Sequence, residues 1–345
     1  MTKSNTSWKN KPFLLCPAGK DYLWGGNRLN TNFHKNISLS PLAETWECST
    51  HPDGLSTICS SEHNGRFLRD VLRDNPSYYG KYPLPDGELP VLVKLIDARE
   101  NLSIQVHPDD AYAAEHENGS RGKTEMWYVL DADPDTYLVY GFTHDITEEK
   151  LRKSLDQGTI LKYLQKVPIQ KDDVFYIDAG TVHALGAGAL VAEVQENSNV
   201  TYRLYDYDRL DKNGLPRTLH IEKALDVINT KSSATPRQPM RLLRYRPGYA
   251  SEFLCRCKYF QVERLLINTN QNDLPISYAT TDQSYEILLC VDGKGKLQFQ
   301  NGTPQSADEK AYEELKFRDG DCIFLPASSI AMHLSGKCQL LRITG

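Results

Sequence analysis

The sequence lacks any hydrophobic run long enough to cross a membrane. Its apolar residues make up 40% of the chain and lie in short stretches such as Leu92–Ile96 and Ile287–Val291, whereas a spanning helix needs about 20 consecutive apolar residues. Residues 1–10 are polar and contain no stretch of the signal-peptide type. We therefore expect neither a membrane partner nor export.

Clusters of basic residues are also missing. The formal net charge is −5, and no run of five or more lysines and arginines occurs. Proteins that bind nucleic acid non-specifically normally carry such a positive patch. The charge distribution therefore predicts no nucleic-acid partner.

The eight cysteines include no C-x-x-C pair. Cys255 and Cys257 are too close together for an easy disulfide within one strand. Cys290 and Cys322 lie in apolar, strand-like runs, where a thiol acts as a small hydrophobic side chain. This cysteine usage predicts a reduced protein in the cytoplasm.

Length and local composition predict two domains. A chain of 345 residues exceeds what one hydrophobic core usually serves, and the polar, proline-containing segment 230–239 is typical of a linker. We assign residues 1–232 to a first domain with helical segments, the clearest predicted over 147–167. Residues 240–345 form a second domain of short strands.

The most informative stretch is Ser103–Asp110, with the sequence SIQVHPDD. In a strand, Gln105 and His107 project to one face, while the apolar residues between and before them project to the other. Pro108 cannot donate to a strand ladder, so the strand is expected to end there and a short helix to begin. An isolated Q-x-H pair is more often a core histidine bonded to a glutamine than a ligand set. Whether Gln105 and His107 are ligands therefore depends on residues later in the chain.

A diverged repeat relates the middle of the chain to its end. Residues 173–179 (DVFYIDA) match 321–327 (DCIFLPA), and residues 125–131 (EMWYVLD) match 286–292 (EILLCVD). The repeat predicts two β-barrels of similar design. Ala331 takes the position of His183 in the second copy. We therefore expect the second barrel to lack a metal site, although Glu286 is retained and His333 lies two residues beyond Ala331.

Four candidate ligands fall at the ends of three strands. Two imidazoles, one carboxylate and an open position form a common divalent-metal site. The candidates are Gln105, His107, Glu125 and His183.

Several segments of the chain form one recognisable set of motifs. They are residues 102–110 (LSIQVHPDD), 122–128 (GKTEMWY), 179–184 (AGTVHA) and 193–206 (EVQENSNVTYRLYD), with Trp24-Gly25-Gly26, Trp46 and residues 92–97 (LVKLID). Together they resemble the type I mannose-6-phosphate isomerases, a zinc-dependent cupin family, in their shorter bacterial form. The resemblance spans roughly residues 12–230, continues weakly to the end of the chain, and implies that residues 1–232 are the metal-binding catalytic domain. Asp178 departs from the family pattern, which usually has proline there.

The resemblance implies a mainly β fold of two cupin (jelly-roll) barrels, with a few helices around the first. It implies one Zn²⁺ per chain, bound by His107, Glu125 and His183 with Gln105 as a weaker fourth ligand or as a group that orients water. Arg203 matches the family's catalytic arginine. Ser103, Lys123 and Glu193 match residues that line the substrate pocket. The implied reaction is the interconversion of mannose 6-phosphate and fructose 6-phosphate through an enediol.

Several points stay open at this level. A metal-bound water, Glu193 or Lys123 could move the proton. Two histidines and a carboxylate also suit an Fe(II) cupin dioxygenase, although such enzymes usually carry a histidine where Gln105 stands. A non-catalytic sugar-binding cupin is the third alternative. The expected partner is a small sugar phosphate, and the chain is expected to be a monomer or a homodimer.

Overall fold

The computed structural model describes residues 10–211, 213–234, 236, 238, 241–270, 274–300 and 312–345. Over these residues the protein is mainly β with a few short helices, which confirms the predicted class. None of the helices in the described part of the chain is long and apolar enough to span a membrane.

The helices are α1 (Arg28–Thr31), α2 (Leu68–Asp74), α3 (Asp110–His116), α4 (Glu148–Asp156) and α5 (Ile221–Val227), with 3₁₀ turns at Pro76–Tyr79, Pro85–Gly87 and Ile160–Lys162. The earlier strands are β1 (Phe13–Cys16), β2 (Ala18–Lys20), β3 (Glu44–Cys48), β4 (Thr57–Ile58), β5 (Val91–Asp97), β6 (Ile104–Val106), β7 (Glu125–Ala132), β8 (Tyr137–Phe142), β9 (Leu164–Pro168), β10 (Val174–Ile177), β11 (His183–Leu185), β12 (Ala189–Glu196) and β13 (Tyr202–Tyr205). The later strands are β14 (Arg244–Arg246), β15 (Tyr249–Arg256), β16 (Gln261–Asn268), β17 (Ile276–Tyr278), β18 (Glu286–Gln300), β19 (Tyr312–Arg318), β20 (Cys322–Leu325) and β21 (Met332–Thr344).

The chain divides into two compact units. The first unit comprises Met1–Ala18, Trp46–Val91 and Met240–Gly345, and the second comprises Gly19–Thr45 and Leu92–Pro239. This division differs from the expected 1–232 and 240–345, because β1 pairs with β20 in the sheet of the first unit. The expected linker 230–239 ends where the second unit ends. Thr235, Arg237 and Pro239 within it lie outside the described residues.

The first unit contains one large sheet, with the strand order β14-β15-β16-β21-β18-β20-β1-β4, and with β17 and β19 paired to β21 and β18. Its buried cluster takes apolar side chains from alternate positions of these strands, including Leu288, Cys290, Leu297 and Leu340. The first unit therefore has a hydrophobic core built from its own strands.

The second unit is built mainly on two sheets. Their strand orders are β10-β7-β12-β5-β3-β2 and β13-β6-β11-β8-β9. One buried cluster joins the two sheets and contains Trp127 of β7 and Leu185 of β11. A further cluster packs α4 and α5 against Ile104 and Val106 of β6. Since neighbouring strand residues point to opposite faces, Gln105 of β6 faces the space between the sheets.

The long helix expected over 147–167 is wrong in its second half. The helix α4 begins after Thr147, whose side chain accepts a hydrogen bond from the Lys150 N–H, and it ends at Asp156. Gly158 has a φ of +63°, a left-handed conformation that glycine adopts readily and that interrupts a helix. The apolar residues beyond it enter β9, which pairs with β8. The leucines of this segment lie at helical spacing, which is why the sequence predicted a helix here and not a strand.

Candidate metal and substrate site

His107 lies just beyond the carboxyl end of β6, where Pro108 ends the strand. Its ring is buried, and its Nδ1 lies 2.9 Å from the backbone carbonyl oxygen of Val200. A carbonyl oxygen can only accept a hydrogen bond, so Nδ1 must carry the proton. In the neutral ring, Nε2 therefore presents a lone pair, and the Lys123 ammonium lies 3.3 Å from it.

His183 begins β11 and repeats this arrangement. Its ring is fully buried, and its Nδ1 donates to the carbonyl oxygen of Thr181 at 2.8 Å. Gln105 is its direct cross-strand neighbour on β6, and the Gln105 side-chain amide nitrogen lies 3.3 Å from His183 Nε2. Histidines that bind metals typically donate their other ring nitrogen to a carbonyl or carboxylate in this way.

The carboxylate of Glu125, the first residue of β7, faces both lone pairs. His107 Nε2 lies 3.2 Å from Oε1, and His183 Nε2 lies 3.6 Å from Oε2. The potential ligand atoms of the three side chains lie within 4.8 Å of one another. Neither carboxylate oxygen accepts a hydrogen bond of normal geometry. The Lys123 ammonium lies 2.6 Å from Oε1 and forms an ion pair with it. Three electron-pair donors pointing at one buried spot fit a divalent cation.

The protonation states agree with that interpretation. Burial lowers the pKa of His107 to about 3 and also lowers that of His183. Burial opposes the charge on Glu125, but the Lys123 ammonium and His107 outweigh it and hold the pKa of Glu125 well below its usual range. At neutral pH the cluster therefore consists of two neutral imidazoles and one carboxylate, which is the form that binds a metal.

A cavity of about 230 Å³ opens beside this cluster. Gln105 and Lys123 belong to both, since they contact the histidines and also line the cavity. The other residues predicted for the substrate, Ser103, Arg203 and Glu193, line the cavity as well. The structure thus brings all eight predicted site residues together.

Arg203 lies on β13, directly opposite Gln105 of the paired strand β6. Its Nε donates to Ser103 Oγ at 3.2 Å, and its Nη1 donates to the Thr218 carbonyl oxygen at 2.9 Å. Burial and the nearby Arg217 lower the pKa of Arg203, but a guanidinium remains charged at physiological pH. The side chain is therefore a fixed positive charge at the cavity wall.

Arg217 is a cavity residue that the sequence did not single out. Its Nε donates to Asp206 Oδ2 at 2.7 Å, and the same carboxylate accepts from Arg209. Both arginines contact Asp206, but Arg217 lines the cavity and Arg209 does not. The sequence offered no signal for this choice, because both arginines lie in a polar loop.

Lys94 is the other residue whose role depended on the structure. It interrupts the apolar run of β5, a position from which a lysine can either extend its charged end towards solvent or reach a buried site. The ammonium is buried, 3.0 Å from Glu193 Oε2 and 3.7 Å from Glu44 Oε2. Burial opposes the charge on Lys94, but these two carboxylates outweigh it and raise its pKa. Burial, together with the charge on Glu125, raises the pKa of Glu193.

The second barrel arranges the matching positions differently. Glu286 accepts a hydrogen bond from the Tyr278 hydroxyl at 2.5 Å. His333 is exposed on β21, between the buried Met332 and Leu334. It therefore points away from the interior and cannot join Glu286 as a ligand. Among the described residues, no second group of three metal-binding side chains comes together.

Comparisons with known proteins agree with this fold and site. Residues 13–139 match the family described as phosphomannose isomerase type I, catalytic domain, and residues 250–344 match the mannose-6-phosphate isomerase cupin domain. The mannose-6-phosphate isomerase of Streptococcus mutans is 41% identical over 96% of this chain and 97% of its own length.

Solved structures give the same result. The mannose 6-phosphate isomerase from Bacillus subtilis has a TM-score of 0.86 and 32% identity, and the match covers 96% of this chain and 99% of that one. A putative mannosephosphate isomerase from Archaeoglobus fulgidus, at 20% identity and a TM-score of 0.73 over 98% of both chains, shares the fold.

Fold and site thus define an isomerase of the cupin class. The chain belongs to the mannose-6-phosphate isomerase family, of type I. This confirms the resemblance inferred from the motifs and the predicted enzyme class.

Glu196, next to the site, provides a test of the electrostatics. Burial raises its pKa to about 7, from an ordinary value of 4.5. Between these values the folded protein holds a proton that the unfolded chain has released, so stability falls as the pH rises through about 7. Glutamine keeps the acceptor for the Thr124 N–H, which lies 2.8 Å from Oε1. The gain in melting temperature from Glu196→Gln should therefore be larger at about pH 8.5 than at about pH 5.5. Equal gains at both pH values would contradict this assignment.

Proposed function

We propose that the protein interconverts mannose 6-phosphate and fructose 6-phosphate with one zinc ion, bound by His107, Glu125 and His183. The observation that carries this proposal is the pair of Nε2 lone pairs, fixed by two backbone carbonyls, that face one buried carboxylate beside a polar cavity. Gln105 is the proposed fourth ligand, because its amide lies 3.3 Å from His183 Nε2 and exchanging its amide O and N would present oxygen instead.

Family membership favours an isomerase over the two alternatives, an Fe(II) dioxygenase and a non-catalytic sugar-binding cupin. A bound zinc ion would supply Lewis-acid chemistry, stabilising negative charge on the sugar oxygens as the carbonyl group moves between C1 and C2.

We assign the remaining roles in the reaction to side chains that line the cavity. Arg203, with Ser103 fixing its Nε, presents a positive charge to the enediolate or to the phosphate. Lys123, 2.6 Å from Glu125 Oε1, adds a second positive charge where the sugar oxygens would lie. A group that faces the enediolate would stabilise negative charge that grows in the transition state.

Glu193 is the side chain that we propose moves the proton. It lines the cavity, and burial raises its pKa, which makes the carboxylate a better proton acceptor. The Trp127 indole N–H donates to its Oε1 at 2.9 Å, and the Lys94 ammonium lies 3.0 Å from Oε2. These contacts hold the carboxyl group in one orientation.

Metal removal tests the cofactor. Dialysis against a chelator should abolish isomerisation of mannose 6-phosphate, and zinc should restore it more fully than iron, magnesium or calcium do. Metal analysis of the restored enzyme should give about one ion per chain, since only one ligand cluster forms among the described residues. Full activity in metal-free protein would rule out the proposed role of zinc. The cytoplasmic location and the monomeric or homodimeric state remain predictions from the sequence.

A further inference from the structure

Two cysteines on the surface of the first unit stand apart from the others. Cys16 and Cys59 are exposed, Cys257 is half-buried, and the remaining five are buried. No disulfide joins any of the eight, all of which lie in the described part of the chain. Neither Cys16 nor Cys59 lines the cavity described above.

The strand pairing brings these two residues to the same face. In the antiparallel pair of β1 and β4, Cys16 lies opposite Thr57 and Leu15 lies opposite Ile58. The Cys59 N–H continues the ladder by donating to the Leu14 carbonyl oxygen at 3.0 Å. Cys59 is thus a diagonal cross-strand neighbour of Cys16, on the same face of the strand pair.

The two sulfur atoms are in hydrogen-bond contact. This contact and burial raise the pKa of the Cys59 thiol, so Cys59 keeps its proton and donates it to the sulfur of Cys16. Since Cys59 holds its proton, we assign the attacking role in the pair to Cys16, and Cys59 is the second thiol beside it.

We propose that Cys16 and Cys59 form a redox-reactive dithiol that closes to an intramolecular disulfide when it meets hydrogen peroxide. In the first step the Cys16 thiolate attacks one peroxide oxygen, the O–O bond breaks, and the leaving hydroxide takes a proton to become water. Cys16 is then a sulfenic acid. In the second step the Cys59 sulfur attacks the Cys16 sulfur, the S–O bond breaks, and a second water leaves.

In the overall reaction, two thiols lose two electrons and two protons, and one hydrogen peroxide takes them up to give two waters. A dithiol reductant reverses the change by thiol–disulfide exchange. The disulfide would close a loop over residues 17–58, which contains Tyr22, Trp24 and Glu44 of the cavity lining. A covalent closure of this loop restricts the unfolded chain and should raise the melting temperature of the oxidised enzyme.

Mass spectrometry of the full-length, metal-loaded enzyme tests the proposal. After treatment with a small excess of peroxide and blocking of the remaining thiols with iodoacetamide, the protein should carry two fewer alkyl groups than the reduced enzyme. Fragmentation of the linked peptides should assign the bond to Cys16 and Cys59. Dithiothreitol should restore both alkylation sites.

Three variants separate the roles. Cys16→Ser should lose the disulfide and show no sulfenic acid at Cys59, whereas Cys59→Ser should accumulate sulfenic acid at Cys16, detected with dimedone. Cys257→Ser is the matched control and should form the disulfide as the wild type does. Unchanged alkylation of the peroxide-treated wild type would overturn the proposal, and that measurement needs no variant. A bond between other cysteines would overturn it as well.

Discussion

Replacing Glu125 by glutamine is expected to remove most of the bound metal and to lower kcat/KM by about 10²–10³-fold or more, the range found when one group that stabilises transition-state charge is lost. Glutamine has nearly the shape of glutamate, so the packing of this fully buried side chain should survive. What disappears is the negative charge that faces the Nε2 atoms of His107 and His183. Without that charge the site would have to bind a divalent cation with neutral ligands only.

The loss of charge has a second consequence. The Lys123 ammonium, 2.6 Å from Glu125 Oε1, would keep its charge beside the metal position with no carboxylate to offset it. Cation binding should therefore weaken beyond the loss of a single ligand. Metal content per chain and steady-state kinetics of the same preparation measure the two effects together.

The repeat supplies a matched control. Glu286 occupies the position in the second copy that Glu125 occupies in the first. Its carboxylate accepts a hydrogen bond from the Tyr278 hydroxyl, and the side-chain oxygen of glutamine can accept the same bond. Glu286→Gln should keep the metal content and kcat/KM of the wild type. Metal loss in Glu286→Gln, or normal metal content in Glu125→Gln, would show that the ligand set has been placed in the wrong copy.

Arg203→Lys is expected to lower kcat by about 10²–10³-fold, or roughly 3–4 kcal/mol of transition-state stabilisation, with a much smaller change in KM. Lysine keeps the positive charge but loses the planar group that donates to Ser103 Oγ and to the Thr218 carbonyl oxygen at the same time. The remaining ammonium would not be held at one position against the cavity. A group that stabilises charge present only in the transition state affects kcat in this way.

The separation of kcat from KM decides between two roles. If Arg203 binds the phosphate equally in the ground state and the transition state, KM should rise while kcat changes little. Arg152→Lys serves as the control, because Arg152 pairs with Glu148 and Glu222 at the surface. Near-normal kcat in metal-loaded Arg203→Lys would mean that Arg217, the other arginine of the cavity lining, has the proposed role.

Some features followed from the sequence because their causes are local. Pro108 ends β6, and Asp109 begins α3 by accepting a hydrogen bond from the Tyr112 N–H at 2.9 Å. The alternation in β6 places Gln105 on the side opposite Ile104 and Val106. The repeat was enough to predict two β-barrels, and the resemblance to a known family named His107, Glu125 and His183 as one set of ligands.

Other features were decided by residues far apart in the chain. The lone pairs of His107 and His183 are fixed by the carbonyl oxygens of Val200 and Thr181, and no side-chain pattern encodes a backbone acceptor. Lys94 could extend towards solvent or reach a site until Glu44 and Glu193 were seen beside it. Strand β1 pairs with β20, about 300 residues away, and so places the start of the chain in the first unit. Local periodicity reports which face of an element is apolar, but the partner of that face is chosen only when the whole chain packs.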